Sequence, residues 1–141
     1  MRYREIILEN VNIPVLYHAT MKFRLPLIME RGLDPAFSKT REAVYLSDEP
    51  EFAHRYTSVA ASCILQIDPS FLDERRLKAD DYETAEILLR EPPSSPYHGM
   101  TIDQLPWRAS LALSHQVAYY GVIPPVAISL HSCHGVGAST E

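Results

Sequence analysis

Proline outnumbers glycine by 11 to 5 in this 141-residue chain, and that excess constrains the fold more than any other feature. Proline fixes φ and removes a backbone donor, so it ends helices and stays out of central strands. A chain punctuated this often is built from short elements. Hydrophobic residues at 46% and charged residues at 22% suit one globular domain over residues 1–141 and exclude disorder, collagen-like repeats and disulfide-dense miniproteins. A formal charge of −5 argues against charge-driven nucleic-acid binding, which needs a basic footprint, but leaves room for a small basic pocket. No stretch approaches the ~18 apolar residues of a membrane span, and the apolar run at residues 6–8 is too short for a signal peptide. The expectation is a cytoplasmic protein with no membrane partner. Cys63 and Cys133 stand 70 positions apart and read as free thiols in a reducing compartment.

Residues 15–18 form a β-type run after Pro14. Residues 26–31 read as a short helix, with Pro26 in its first turn and Gly32 beyond its last. Residues 43–46 are a strand. A helix start follows, with Ser47 or Asp48 as cap, Asp48 and Glu51 at capping-box spacing, and Phe52, Tyr56 and Val59 on one helical face. Residues 63–67 are a strand, and Leu72 and Leu77 frame a charged turn. Helices are expected over 82–90 and 106–113, with Trp107 in the core, and strands over 116–120 and 126–130. Residues 131–141 are small and polar and read as a flexible tail. Short strands and helices that do not strictly alternate point to an α+β domain: a small, split, mostly antiparallel sheet with short flanking helices.

Polar and aromatic side chains interrupt the strands at three places: residues 17–20, residues 44–47 with Tyr56 beyond, and residues 114–116. Strand ends and strand–helix junctions are where sites are built on a rigid scaffold. His18-Ala19-Thr20, Gly32-Leu33 and the run from Arg41 through Val44-Tyr45-Leu46-Ser47 resemble the NAD-binding half of the ADP-ribosyltransferase superfamily. The opening is similar to the tRNA 2′-phosphotransferases, whose pattern is His-Gly-Thr, Gly-Leu, then Arg-x-His-Val-His-Leu. The later part is similar to the diphtheria-toxin and poly(ADP-ribose) polymerase branch, which carries a Tyr on a strand, a second Tyr on the next helix and a Glu opening a late strand. Tyr45, Tyr56 and Gln116 fall at those places, and the 11-residue spacing of the tyrosines suits that branch.

The resemblance implies an enzyme that transfers ADP-ribose from NAD, as co-substrate, to a protein or nucleic-acid acceptor, in the cytoplasm or delivered into a host cytoplasm. Two tyrosines, Tyr45 and Tyr56, would stack on the nicotinamide ring. His18 would bond a ribose hydroxyl, backbone near Ala19 would hold the carboxamide, and Thr20 would support that turn. Arg41 would meet a pyrophosphate oxygen with its planar fork, with Ser47 also lining the cofactor site. Gln116 would contact the nicotinamide-ribose 2′-hydroxyl. Gln116 is neutral, so it lacks the charge with which the family's Glu stabilises an oxocarbenium-like state. A one-residue slip of register would turn His115 inward in its place. Two other readings follow: an NAD-dependent RNA 2′-phosphotransferase, disfavoured because Tyr45 replaces a family His, and a non-catalytic nucleotide- or partner-binding module. Beside these, His18, Tyr45 and Tyr56 also suit ordinary core roles, and Arg41 a solvated loop. The run His131-Ser132-Cys133-His134 lacks a second ligand group at metal spacing, so no metal is expected.

Overall fold

The computed structural model describes residues 13–37, 43–56, 62–81 and 83–133, with backbone alone at 37 and 54–56. Six strands form one antiparallel sheet: β1 (Leu16–Met21), β2 (Val44–Ser47), β3 (Ser62–Ile67), β4 (Leu77–Ala79), β5 (Gln116–Tyr119) and β6 (Ile128–Cys133). Their spatial order is β4-β5-β2-β1-β3-β6. Three short α-helices accompany them, α1 (Leu25–Arg31), α2 (Glu83–Leu89) and α3 (Trp107–Ser114). The α+β class and the short elements follow the proline punctuation.

The core lies on one face of the sheet. Leu16, Leu46, Leu65, Ile67, Val117 and Tyr119 meet Ile28 of α1 and Trp107 and Leu111 of α3. Period-two alternation puts these strand residues on a common face. Trp107 is core, as expected, and its Nε1 donates to Glu74.

Helix α1 starts with Pro26 in its first turn and ends at Gly32, whose φ is +88°. A Cβ on Gly32 would lie 2.2 Å from the Ile123 carbonyl oxygen. Only glycine suits this position, because the next residue, Leu33, exchanges two backbone hydrogen bonds with Ile123. That bridge ties the end of α1 to the connection between β5 and β6.

The sheet is continuous but nearly divided. β2 meets β5 over four register pairs, and β1 meets β3 over six, whereas β1 and β2 share one, Tyr17↔Ser47. Two three-stranded halves, β4-β5-β2 and β1-β3-β6, are thus hinged at a single residue pair.

Four expectations need correction. The helix expected after Ser47 is a 3₁₀ segment, Pro50–Tyr56. At three residues per turn, positions 52 and 56 do not share a face as they do in an α-helix. Asp48 does not close a capping box with Glu51; its carboxylate accepts from His115, and Ser47 makes a local turn with Glu49. Cys63 and Cys133 are not free thiols. They are register partners on β3 and β6, and their sulfurs are bonded. Sheet pairing brings together residues that sequence distance had separated, and the thiol-based ground for a reducing compartment goes with them. The tail does not begin at His131, since His131–Cys133 complete β6. A short strand that the sequence does not announce, β4, begins at Leu77 directly after the charged turn. Among the described residues no helix is long and apolar enough to cross a membrane.

Candidate functional site at the divide in the sheet

Past Tyr17, the edge of β1 that faces β2 has no register partner among the described residues. The His18 side chain bridges the gap instead: its Nδ1 lies 2.8 Å from the Tyr45 carbonyl oxygen. A carbonyl accepts only, so Nδ1 carries the proton and Nε2 is left as an acceptor. Burial pushes the His18 imidazole below the usual histidine range. The bond to the Tyr45 carbonyl pulls the other way, and the Arg24 charge adds a smaller push downward. The ring is therefore neutral near pH 7, a state suited to accepting a hydroxyl proton at Nε2.

Ala19 and Thr20 are not in a turn after the strand but inside β1, opposite Ile64 and Cys63 of β3. Both are buried. Their register with β3 leaves the backbone edge toward β2 outside any ladder, beside the His18 ring.

The other candidates gather on the opposite face from the core. Ser47 pairs with Tyr17 on one side and Gln116 on the other, and Tyr45 pairs with Ala118. Tyr17, Tyr45, Ser47 and Gln116 thus project to one face. The register question is settled by the strand: Gln116 opens β5 and is 1% exposed, while His115 sits before it, half-buried, with φ +63° as the cap of α3. The Gln116 amide nitrogen donates to the Phe52 carbonyl at 2.6 Å. That bond draws the 3₁₀ segment over the strand ends. It also uses the amide for structure, so Gln116 acts there as a neutral anchor rather than as a charge.

His115 is not a bystander. Its Nδ1 lies 2.9 Å from Asp48 Oδ1, and its ring stacks on Phe52 with centroids 4.4 Å apart and planes 2° from parallel. The Asp48 backbone N–H also donates to the His115 carbonyl. Asp48 and Phe52 had been read from sequence as a cap and a helix face. No sequence signal links positions 48 and 115, which only the β2–β5 pairing joins.

Sequence reading also missed what holds this junction. Ser110 Oγ donates to the Gln116 carbonyl at 2.6 Å and accepts from the Asp80 N–H at 3.0 Å. Thr84 Oγ1 lies within 2.8 Å of the Ser110 hydroxyl and 2.7 Å of the Ser114 hydroxyl. Ser110, Ser114, Thr84 and Asp80 are all buried. Satisfied buried polar networks specify one arrangement, because any broken member leaves a costly unpaired group. The one cue was the Ser110/Ser114 spacing of four, which places both on one helical face.

Arg41 and the Tyr56 side chain lie outside the described residues, as does Val59. No group of three or more potential metal ligands occurs among the described residues, and Cys133 of the run at 131–134 is engaged with Cys63. No protein-family model matches this chain, and no curated protein matches it.

Proposed function

We propose that this protein is an NAD-dependent ADP-ribosyltransferase whose dinucleotide lies at the divide between the two halves of the sheet. The observation that carries the reading is the interruption between β1 and β2, bridged by His18 and the Tyr45 carbonyl and bordered by unladdered β1 backbone. Backbone groups without a ladder partner need hydrogen-bonding company, and the carboxamide of a nicotinamide is a planar amide of matching donor and acceptor character. The neutral His18 offers Nε2 to a ribose hydroxyl. Tyr45 and Tyr17 supply flat aromatic surface on the face away from the core, while His18, in register with Leu65, reaches the seam from the core face. The split antiparallel sheet that the sequence resemblance implies is consistent with two halves hinged at one pair.

The expected chemistry is cleavage of the bond between nicotinamide and ribose, followed by transfer of ADP-ribose to a nucleophile. Holding NAD compact and stabilising the developing charge is the work such a site must do. Saturating NAD should raise the melting temperature of the wild-type protein and should fail to do so for Tyr45→Ala. A melting temperature that NAD leaves unmoved in the wild type overturns the reading.

A further inference from the structure

Gln116 leaves the candidate site without a charge where the strand opens, and the structure puts a hydrogen-bonded His–Asp pair beside it. We propose that His115 is the general base of this site, oriented by Asp48, and that it takes the proton from an O–H nucleophile attacking the ribose. The inference deepens the transferase reading above and rests on it.

Four observations converge on His115. Its ring is held twice, by Asp48 at 2.9 Å and by the parallel Phe52 ring. In the neutral ring the carboxylate accepts from Nδ1–H, which makes Nε2 the basic nitrogen. That nitrogen meets no hydrogen-bond partner among the described residues, and the side chain is 40% exposed, so an acceptor reaches it. The backbone stands at φ +63°, the sole non-glycine residue in the left-handed region among those described. A left-handed cap with a bulky side chain costs free energy, and such residues cluster at functional sites. Asp48 is the charged side chain in contact with the ring; Glu49 and Glu51 lie on the same segment, and Gln116 on the adjoining strand is neutral.

The step balances as follows. The bond from ribose C1′ to the nicotinamide nitrogen breaks, and nicotinamide leaves as a neutral molecule with the electron pair. The acceptor oxygen bonds to C1′, and its proton passes to Nε2 of His115, to be released to solvent. A base matters for a neutral hydroxyl, which is a weak nucleophile until its proton is accepted. The acceptor class is therefore an alcohol or water. Asp48 is a positioning residue that never touches the substrate.

The test uses the full chain with NAD, water as nucleophile and methanol as a competing alcohol, with nicotinamide and methyl ADP-ribose read by mass spectrometry. Asparagine tolerates the left-handed conformation, so His115→Asn keeps the cap. It is expected to release nicotinamide about 100-fold more slowly while binding NAD as the wild type does. Asp48→Asn should slow release by a smaller factor than His115→Asn, through kcat with the KM for NAD unchanged, because Asp48 acts only by orienting the ring. Wild-type rates in His115→Asn overturn the role of His115 and leave the transferase reading standing. A wild-type protein that neither binds NAD nor releases nicotinamide overturns both.

Discussion

In the half built from β4, β5 and β2, strand ends are tied together by buried hydroxyls: Ser110 reaches Gln116 and Asp80, and Thr84 joins Ser110 to Ser114. In the half built from β1, β3 and β6, the outer strand is largely exposed, and a disulfide from Cys63 to Cys133 joins it to its neighbour. Helices α2 and α3 pack beside the first half through Leu88, Ala109, Leu105 and Ala79. The exposed run of β6 has no such cover. The difference teaches how a small domain keeps a gap in its sheet. Each half is closed by its own means, so the seam between them need not carry a full ladder, and His18 spans it with one hydrogen bond.

The contrast is most strongly tested at the disulfide. A cross-link over 70 residues restricts the unfolded chain, so replacing both cysteines with serine should cost about 4 kcal/mol in the chain-entropy picture. Urea unfolding of the double variant, and of the wild type with and without reductant, measures it. If the halves are independently closed, amide exchange should accelerate in β3 and β6 before β5. Uniform acceleration across the sheet would break the comparison.

Ser110→Ala probes the other half. It leaves the Gln116 carbonyl and the Asp80 N–H without their hydroxyl partner in a buried setting, a loss of about 2 kcal/mol. The same exchange experiment should now report β4 and β5 first. A thermal shift without change in those amides would mean that the network does not hold this half.

The smallest effect belongs to the seam. His18 is held below its ordinary value by burial, so the unfolded chain binds a proton more readily than the folded one. Stability is then complete above the unfolded pKa of about 6.5 and falls as the pH drops below it, levelling off under the lowered folded value. His18→Asn should flatten stability against pH over that window, as followed by chemical denaturation at a series of pH values. An equal slope in wild type and variant would place the acid sensitivity elsewhere.

Local signals were legible in the sequence wherever one segment supplied all the physics. Pro26 and Gly32 marked the limits of α1 because ring geometry and positive φ act on a single residue. The short apolar runs at residues 63–67 and 116–120 revealed strands for the same reason. The segment after Ser47 misled because the capping pattern and apolar spacing suit an α-helix, while Gln116 and His115 engage its beginning from across the sheet. The cysteines misled because separation along the chain says nothing about register.

His18, Tyr45 and Gln116 were visible as polar or aromatic interruptions of apolar strands, and that much the sequence determined alone, together with the α+β class and its short elements. Tertiary structure decided the rest. It chose Gln116 over His115 for the strand, placed His115 against Asp48, paired Cys63 with Cys133 and stopped the β1–β2 ladder after one residue pair. Each of these depends on strand register between distant segments, and register is set by how whole faces bury together rather than by any local run of residues.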